Sequence, residues 1–271
     1  MPKAFIDTTI LTDAVLKRDE NYTAARAALQ RFDVTELPVY AIKEFKAGPL
    51  ANFVWFHNKL ALLKSFQKGL AALQRMALSP RRYTTATALQ ALAEAARTNS
   101  RFSLGHLQEI YGPKASLDAV NCDMFRLAIK SRVLRAWADR RKIASNVVNP
   151  LACYTETAPR EENGLLVINP VKCNVGDCCL RPLLKSKPED LEHLRKAIPK
   201  DSTKREDQKR SQALRELIRR KPGEAMSEDS CQSLGDAVFA FFAPQDSVIL
   251  TTNLRDHEPL AKALGKQAQE P

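Results

Sequence analysis

The chain has 271 residues, 44% of them hydrophobic, and a formal net charge of +11 with an isoelectric point near 9.5. The apolar content excludes a disordered tail and suffices for one large or two small globular domains, and no apolar run approaches the roughly 18 residues that a membrane span requires. Six cysteines in a chain of this length do not make a disulfide scaffold, and the opening MPKAFIDTTI lacks the basic stretch and long apolar core of a secretory signal, so the expectation is a soluble, cytoplasmic protein with no membrane partner.

In chain order, KAFID is a short apolar run ending in an acid, which predicts a strand, and TTILTDAVLK after it joins a capping Thr to apolar residues at helical spacing. NYTAARAALQRF reads as an Ala-rich helix and DVTELP as a short strand or turn. VYAIKEFKAG reads as a third helix closed by Gly48 and Pro49, with Val39, Ile42 and Phe45 on one face and Glu44 at its border. From about Ala51 to Ile143 the pattern is helical almost throughout, with breaks near LSPRRYTT, TNSRFSLG and YGPKAS. This predicts a large, basic α-helical insertion over 51–145, set into an α/β domain split between 1–50 and 146–271. NGLLVINP reads as an inner strand stopped by Pro170, and the stretch from Pro188 to Gly223 as charged helix. Near the end, Leu234, Val238, Phe241 and Phe242 share a helix face, Pro244 ends that helix, SVIL reads as a buried strand, and RDHEPLAKALG as a final helix closed by Gly265.

The positive charge is unevenly placed. Residues 1–50 balance seven Lys or Arg against seven acids, and residues 228–271 hold three against seven, so the segment between them carries +15. Within it DMFRLAIKSRVLRAWADRRKI places Phe125, Leu127, Ile129, Val133, Leu134 and Trp137 among Arg126, Lys130, Arg132, Arg135, Arg140, Arg141 and Lys142. One face of this helix is suited to burial and the other to phosphate, which points to RNA as partner; a solvated basic face that contacts nothing is the competing reading.

Strand, helix, helix, strand at the start and helix, strand, helix at the end suit a parallel sheet covered by helices, in which a site lies outside the carboxyl ends of the strands. Asp7 follows the first strand, and Thr251, Thr252 and Asn253 follow the last. Asp236 and Glu44, on flanking helices, reach the same edge. Carboxylates gathered without matching cations raise one another's pKa, a conflict that a divalent metal resolves, and oxygen-only ligands favour Mg²⁺ or Mn²⁺.

The segments FIDTTILTDAV, VYAIKEFKAG and LGDAVFAFFAPQDSVILTTNLRDH together resemble the PIN-domain ribonuclease family. The last is the most specific, because Asp236, Phe239, Ala240 and Ala243 keep the family's helix spacing and TTNLRDH follows the strand. The resemblance covers roughly the first 50 and last 45 residues and implies a PIN-like parallel sheet flanked by helices. It further implies that Asp7, Glu44 and Asp236 bind Mg²⁺ or Mn²⁺, that Thr252 or Asn253 completes the site through hydrogen bonds, and that Thr9 orients Asp7. Where many members have a fourth Asp this chain has Asn253, and Asp256, three residues on, is the remaining catalytic candidate.

The expected function is therefore a metal-dependent endoribonuclease of toxin or effector type acting on single-stranded RNA, with an inhibitory or regulatory protein partner and homo-oligomer formation both compatible with the sequence. Two alternatives stand beside it: a catalytically degenerate PIN-like module that binds RNA or protein, favoured by Asn253, and a haloacid-dehalogenase-type phosphatase, which also opens on a strand ending in Asp but needs a second acid where this chain has Thr9. Cys173, Cys178 and Cys179 offer thiolates for a structural zinc, with buried thiols as the competing reading. His57, His106, His193 and His257 form no paired metal-binding spacing, which gives a histidine-based site no support.

Overall fold

The structure is a computed structural model that describes residues 2–17, 20–79, 82–99, 109, 112, 116–152, 154–169, 180–199, 202–219 and 228–271. The expected zinc ligands Cys173, Cys178 and Cys179, together with Cys153, Pro170 and most of the breaks in TNSRFSLG and YGPKAS, lie outside the described residues.

The described strands are β1 (Lys3–Ile6), β2 (Val34–Pro38), β3 (Asn146–Val148), β4 (Arg160–Glu162), β5 (Leu165–Val167), β6 (Ser247–Leu250) and β7 (Gln267–Gln269). Five of them form one parallel sheet in the order β3-β2-β1-β6-β7. The described helices are α1 (Thr8–Val15), α2 (Glu20–Leu29), α3 (Val39–Phe45), α4 (Ala51–Leu63), α5 (Phe66–Ala77), α6 (Tyr83–Asn99) and α7 (Leu117–Asp139). They continue with α8 (Leu180–Lys185), α9 (Pro188–Ala197), α10 (Arg205–Arg219), α11 (Glu228–Leu234), α12 (Asp236–Phe242) and α13 (Leu254–Ala263). No described helix is long and apolar enough to cross a membrane.

β1 is the central strand. Ala4, Phe5 and Ile6 are all fully buried, because a parallel strand covered by helices has no solvent face and so reads as a continuous apolar run. Its register against β6 pairs Lys3 with Ser247 and Ile6 with Leu250. That register brings the two ends of the chain together one residue beyond the strands, where the Asp7 amide donates to the Leu250 carbonyl at 3.1 Å.

Two elements depart from the sequence expectation. The third helix does not stop at Gly48 and Pro49; it widens into a π-turn over Lys46–Leu50 and runs on into α4. Pro49 has no N–H for an α-turn to use, and the wider turn absorbs it without ending the helix. NGLLVINP is not an inner strand of the main sheet. Asn163 and Gly164 both have positive φ, +52° and +75°, the signature of a two-residue hairpin turn, and they fold β5 back antiparallel on β4. The free edge of β5 is completed by a side chain: Asn58 of α4 donates to the Leu166 carbonyl at 2.8 Å and accepts from its amide at 2.9 Å. The main-sheet position next to β2 goes to β3, where the Ser145 amide reaches the Thr35 carbonyl.

The helices of 51–139 are not separated from the sheet by a boundary in the core. Phe53, Phe56, Phe125 and Ile129 belong to the same buried cluster as Phe5, Ile10 and Phe239. α7 packs on α4, α5, α6 and α1, so the insertion is laid against the first helix of the α/β unit.

Candidate functional site

Asp7 is the N-cap of α1, with its backbone extended and its carboxylate accepting from the amides of Thr8 at 2.6 Å and Thr9 at 3.4 Å. Were that all, it would be an ordinary cap. Its Oδ2 also accepts from the hydroxyl of Thr9 at 2.7 Å and from that of Thr251, at the end of β6, at 2.8 Å. Thr252 and Asn253 support this arrangement through their backbones: the Thr252 amide donates to Thr9 Oγ1 at 3.1 Å and the Asn253 amide to Thr251 Oγ1 at 2.9 Å.

Asp236 arrives from the other side. Gly235 has φ +38°, a conformation costly for any side chain, and this abrupt turn between α11 and α12 places Asp236 at the first position of α12. Between the two carboxylates stands His257, from the first turn of α13. Its Nε2 lies 3.5 Å from Asp7 Oδ2 and 3.2 Å from Asp236 Oδ1, and its ring packs edge-on against Phe239. The second oxygen of Asp236 is held by the guanidinium of Arg210, from α10, which also reaches Asp207 at 3.5 Å. Asp7 and Asp236 thus share a single imidazole nitrogen.

Glu44 projects from α3 to the same edge and accepts from the Thr8 hydroxyl at 2.7 Å, while the hydroxyl of Tyr40, one turn earlier, donates to the Cys231 carbonyl at 3.4 Å. Thr8 therefore ties Glu44 to Asp7, since its amide serves one carboxyl and its hydroxyl the other.

The electrostatics follow from burial and these pairings. Burial works against the charge of Asp7, but the His257 charge and the bonds from His257, Thr9 and Thr251 outweigh it, and its pKa falls below the usual carboxylate range. Burial also opposes the proton on His257, yet the two flanking carboxylates push its pKa up to about 10. Glu44 goes the other way. Desolvation raises it to about 8 against the Thr8 hydroxyl bond, with Asp7 and Asp236 adding to the rise.

The remaining sequence candidates are placed elsewhere. Asp256 lies on the outer side of its helical turn, where Lys204 pairs with it at 3.1 Å and the Asn253 side-chain amide donates to it at 3.1 Å. Asn253 therefore turns its side chain to Asp256, and only its backbone serves the Asp7 network.

The basic face of α7 is largely engaged within the protein. Arg126 donates to the Gly164 carbonyl at 2.8 Å and Lys130 pairs with Glu161. Arg132 is buried against the Lys17 carbonyl. Arg140 stacks over Trp137 at 3.7 Å and shares Glu156 with Arg141. Lys142 pairs with Asp139, and Arg135 is exposed.

Sequence reasoning missed the cations of the acid cluster. His257 carried a signal: it sits four residues after Asn253, so a helix starting there returns it to the sheet edge. Arg210 carried none, being one of many basic residues in a charged helix. Their presence changes the metal argument, which began from acids lacking matching cations. The oxygen-only donors Asp7, Glu44 and Asp236 suit a hard divalent ion, but His257 and Arg210 hold the positive charge in the arrangement described. Among the described residues no group of three or more His, Cys, Asp or Glu side chains is set to hold an ion. Binding one requires that Arg210 or His257 give way.

Compared with protein-family models, curated proteins and solved structures, the chain matches none.

Proposed function

We propose that the protein is a metal-dependent endoribonuclease of PIN type acting on single-stranded RNA. The observation that carries this reading is the sharing of one imidazole nitrogen, that of His257, by Asp7 and Asp236, two acids 229 residues apart, at the carboxyl edge of a parallel sheet with Glu44 tied to them through Thr8. A place between two carboxylates that already holds an imidazolium is a place built for positive charge. A divalent ion held there supplies a Lewis acid for the phosphate and an acidified water.

The chain's own residues do the positioning. Thr9 and Thr251 fix the Asp7 carboxylate, and Thr8 fixes Glu44. Phosphates meet repulsion from these acids unless a cation stands between them, so RNA approach and cation binding are coupled. The recessed edge suits a flexible strand and not a stiff duplex.

Single-stranded RNA incubated with Mn²⁺ is expected to be cleaved, and cleavage is expected to cease with a chelator and to fall at least about a hundredfold in Asp7→Asn. RNA binding without any cleavage would instead support a non-catalytic PIN-like module, a reading that the neutralisation of Asp236 by Arg210 and His257 favours. A phosphatase has no such support, because Thr9 takes the position of the needed second acid and donates to Asp7.

A further inference from the structure

A cavity of about 220 Å³ opens directly beside the acid cluster. Thr8, Thr9 and Thr252 form its inner side, Asn52 and Phe53 of α4 and Thr85 of α6 its outer side. Thr8 and Thr9 thus face both places: their polar groups hold Glu44 and Asp7, and their side chains line the cavity. Asn52, Phe53, Thr85 and Ala88 come from the inserted helices, beside Gly48 and Pro49 of the π-turn, which gives the insertion a direct part in whatever occupies the space.

Two features define the occupant. The first is polarity without net charge, since the two charged residues of the lining, Asp13 and Lys17, are paired with each other. Lys17, in the lining, is buried in a 2.6 Å ion pair with Asp13 and has its charge balanced there, so the cavity offers no cation for a phosphate. The second is unused hydrogen-bonding capacity. Among the described residues, the half-buried amide of Asn52 and the hydroxyl of Thr85 make no side-chain hydrogen bond, although Thr85 is only 8% exposed. Phe53, Leu16 and Ala88 supply apolar surface between them. Apolar walls with a few convergent polar groups are what a small planar ligand needs, and the volume lies below the ~300–1,000 Å³ of sites for larger molecules.

The geometry points to a nucleobase-binding subsite, in which one unstacked base of the RNA strand enters between α4 and α6 and is read by Asn52 and Thr85. An Asn side chain presents an adjacent donor and acceptor that match a base edge, and single-stranded RNA is recognised through bases splayed out of the stack. Because Thr8 and Thr9 are shared with the acid cluster, a base seated here brings its own backbone against Asp7 and Glu44. The inference rests on the ribonuclease reading for its substrate class and extends it to the choice of nucleotide beside the cut.

The test is binding of the four free nucleosides to the full chain, followed by titration, with ribose 5-phosphate as competitor. At least one nucleoside is expected to bind saturably, with affinity reduced about tenfold in Thr85→Val, which removes one hydroxyl, and at least about tenfold in Asn52→Leu, which removes a donor and an acceptor together, while the thermal midpoint stays near that of the parent. Ribose 5-phosphate should not compete. Absence of binding by all four nucleosides, binding unchanged in both variants, or competition by ribose 5-phosphate would each overturn the subsite. A cleavage assay on the same preparations separates the two ideas. Nucleoside binding without metal-dependent cleavage removes the nuclease and leaves the subsite, whereas cleavage without nucleoside binding does the reverse.

Discussion

The acid cluster at the sheet edge and the basic face of α7 present the same problem with opposite signs. Read in sequence, each lacks countercharge, so the first calls for a metal and the second for a polyanion. In the folded chain both find much of their countercharge internally, the acids from His257 and Arg210 and the bases from Glu156, Glu161 and Asp139. They differ in burial. Asp7 and His257 are 3% and 1% exposed, whereas the side chains of Arg141 and Lys142 are 52% and 72% exposed. Water screens the exposed pairs of Arg141 and Lys142 and leaves them exchangeable, but it does not reach the pair of Asp7 and His257 at the sheet edge. The buried cluster is therefore committed to one arrangement, and the exposed pairs of Arg141 and Lys142 are not.

The sharpest way to break this contrast is Asp7→Asn, which leaves a buried imidazolium with one carboxylate in place of two. Unfolding by denaturant should show a loss of about 3 kcal/mol. A loss near zero would mean that the cluster is no more committed than the surface pairs.

A pH series isolates His257. Its pKa is raised in the folded chain, so its contribution is fully present below the unfolded value of about 6.5 and is lost as pH rises through about 10. Glu44 and Lys266 also titrate in this range, so the quantity to follow is the difference between wild type and His257→Gln. That difference should shrink steadily from pH 6.5 to pH 10. A difference independent of pH would show that the imidazole is neutral in the fold.

Arg210→Met keeps most of the apolar stem and removes the guanidinium that holds Asp236. Mn²⁺ binding, followed by titration calorimetry, should tighten about tenfold, because a like charge leaves the proposed cation site. Unchanged affinity would show that Arg210 does not compete with the ion.

The smallest effects belong to α7. Replacing Arg141 by Ala should change stability by less than about 1 kcal/mol, since Glu156 keeps Arg140. If Arg135, Arg141 and Lys142 contact phosphate, each replacement should lower the salt slope of RNA binding by about 1, while Arg126→Ala should leave the slope unchanged because its guanidinium is held by the hairpin turn.

Much of this architecture was legible in sequence. The buried strands β1 and β6, the helix opening on Asp236 and the closing of α13 at Gly265 follow from local apolar runs, helical spacing and a glycine with φ +67°. Local pattern misplaced NGLLVINP, since an apolar strand of a few residues reads alike whether its edge meets another strand or the Asn58 side chain. In the site, Asp7 and Asp236 stood out because the first follows a strand and the second opens a helix, whereas Glu44, late in α3, was marked by its place at the border of the helix's apolar face and by the family resemblance.

Sequence by itself determined where the strands and helices form and which carboxylates end up at the carboxyl edge, because hydrophobic periodicity and capping act over a handful of residues. Tertiary structure decided which charges meet. The register of β1 on β6 sets Asp7 against Thr251 and His257, the turn at Gly235 aims Asp236, and the packing of α10 brings in Arg210. Coulomb energy depends on distance and burial, and neither exists until segments more than 200 residues apart have docked.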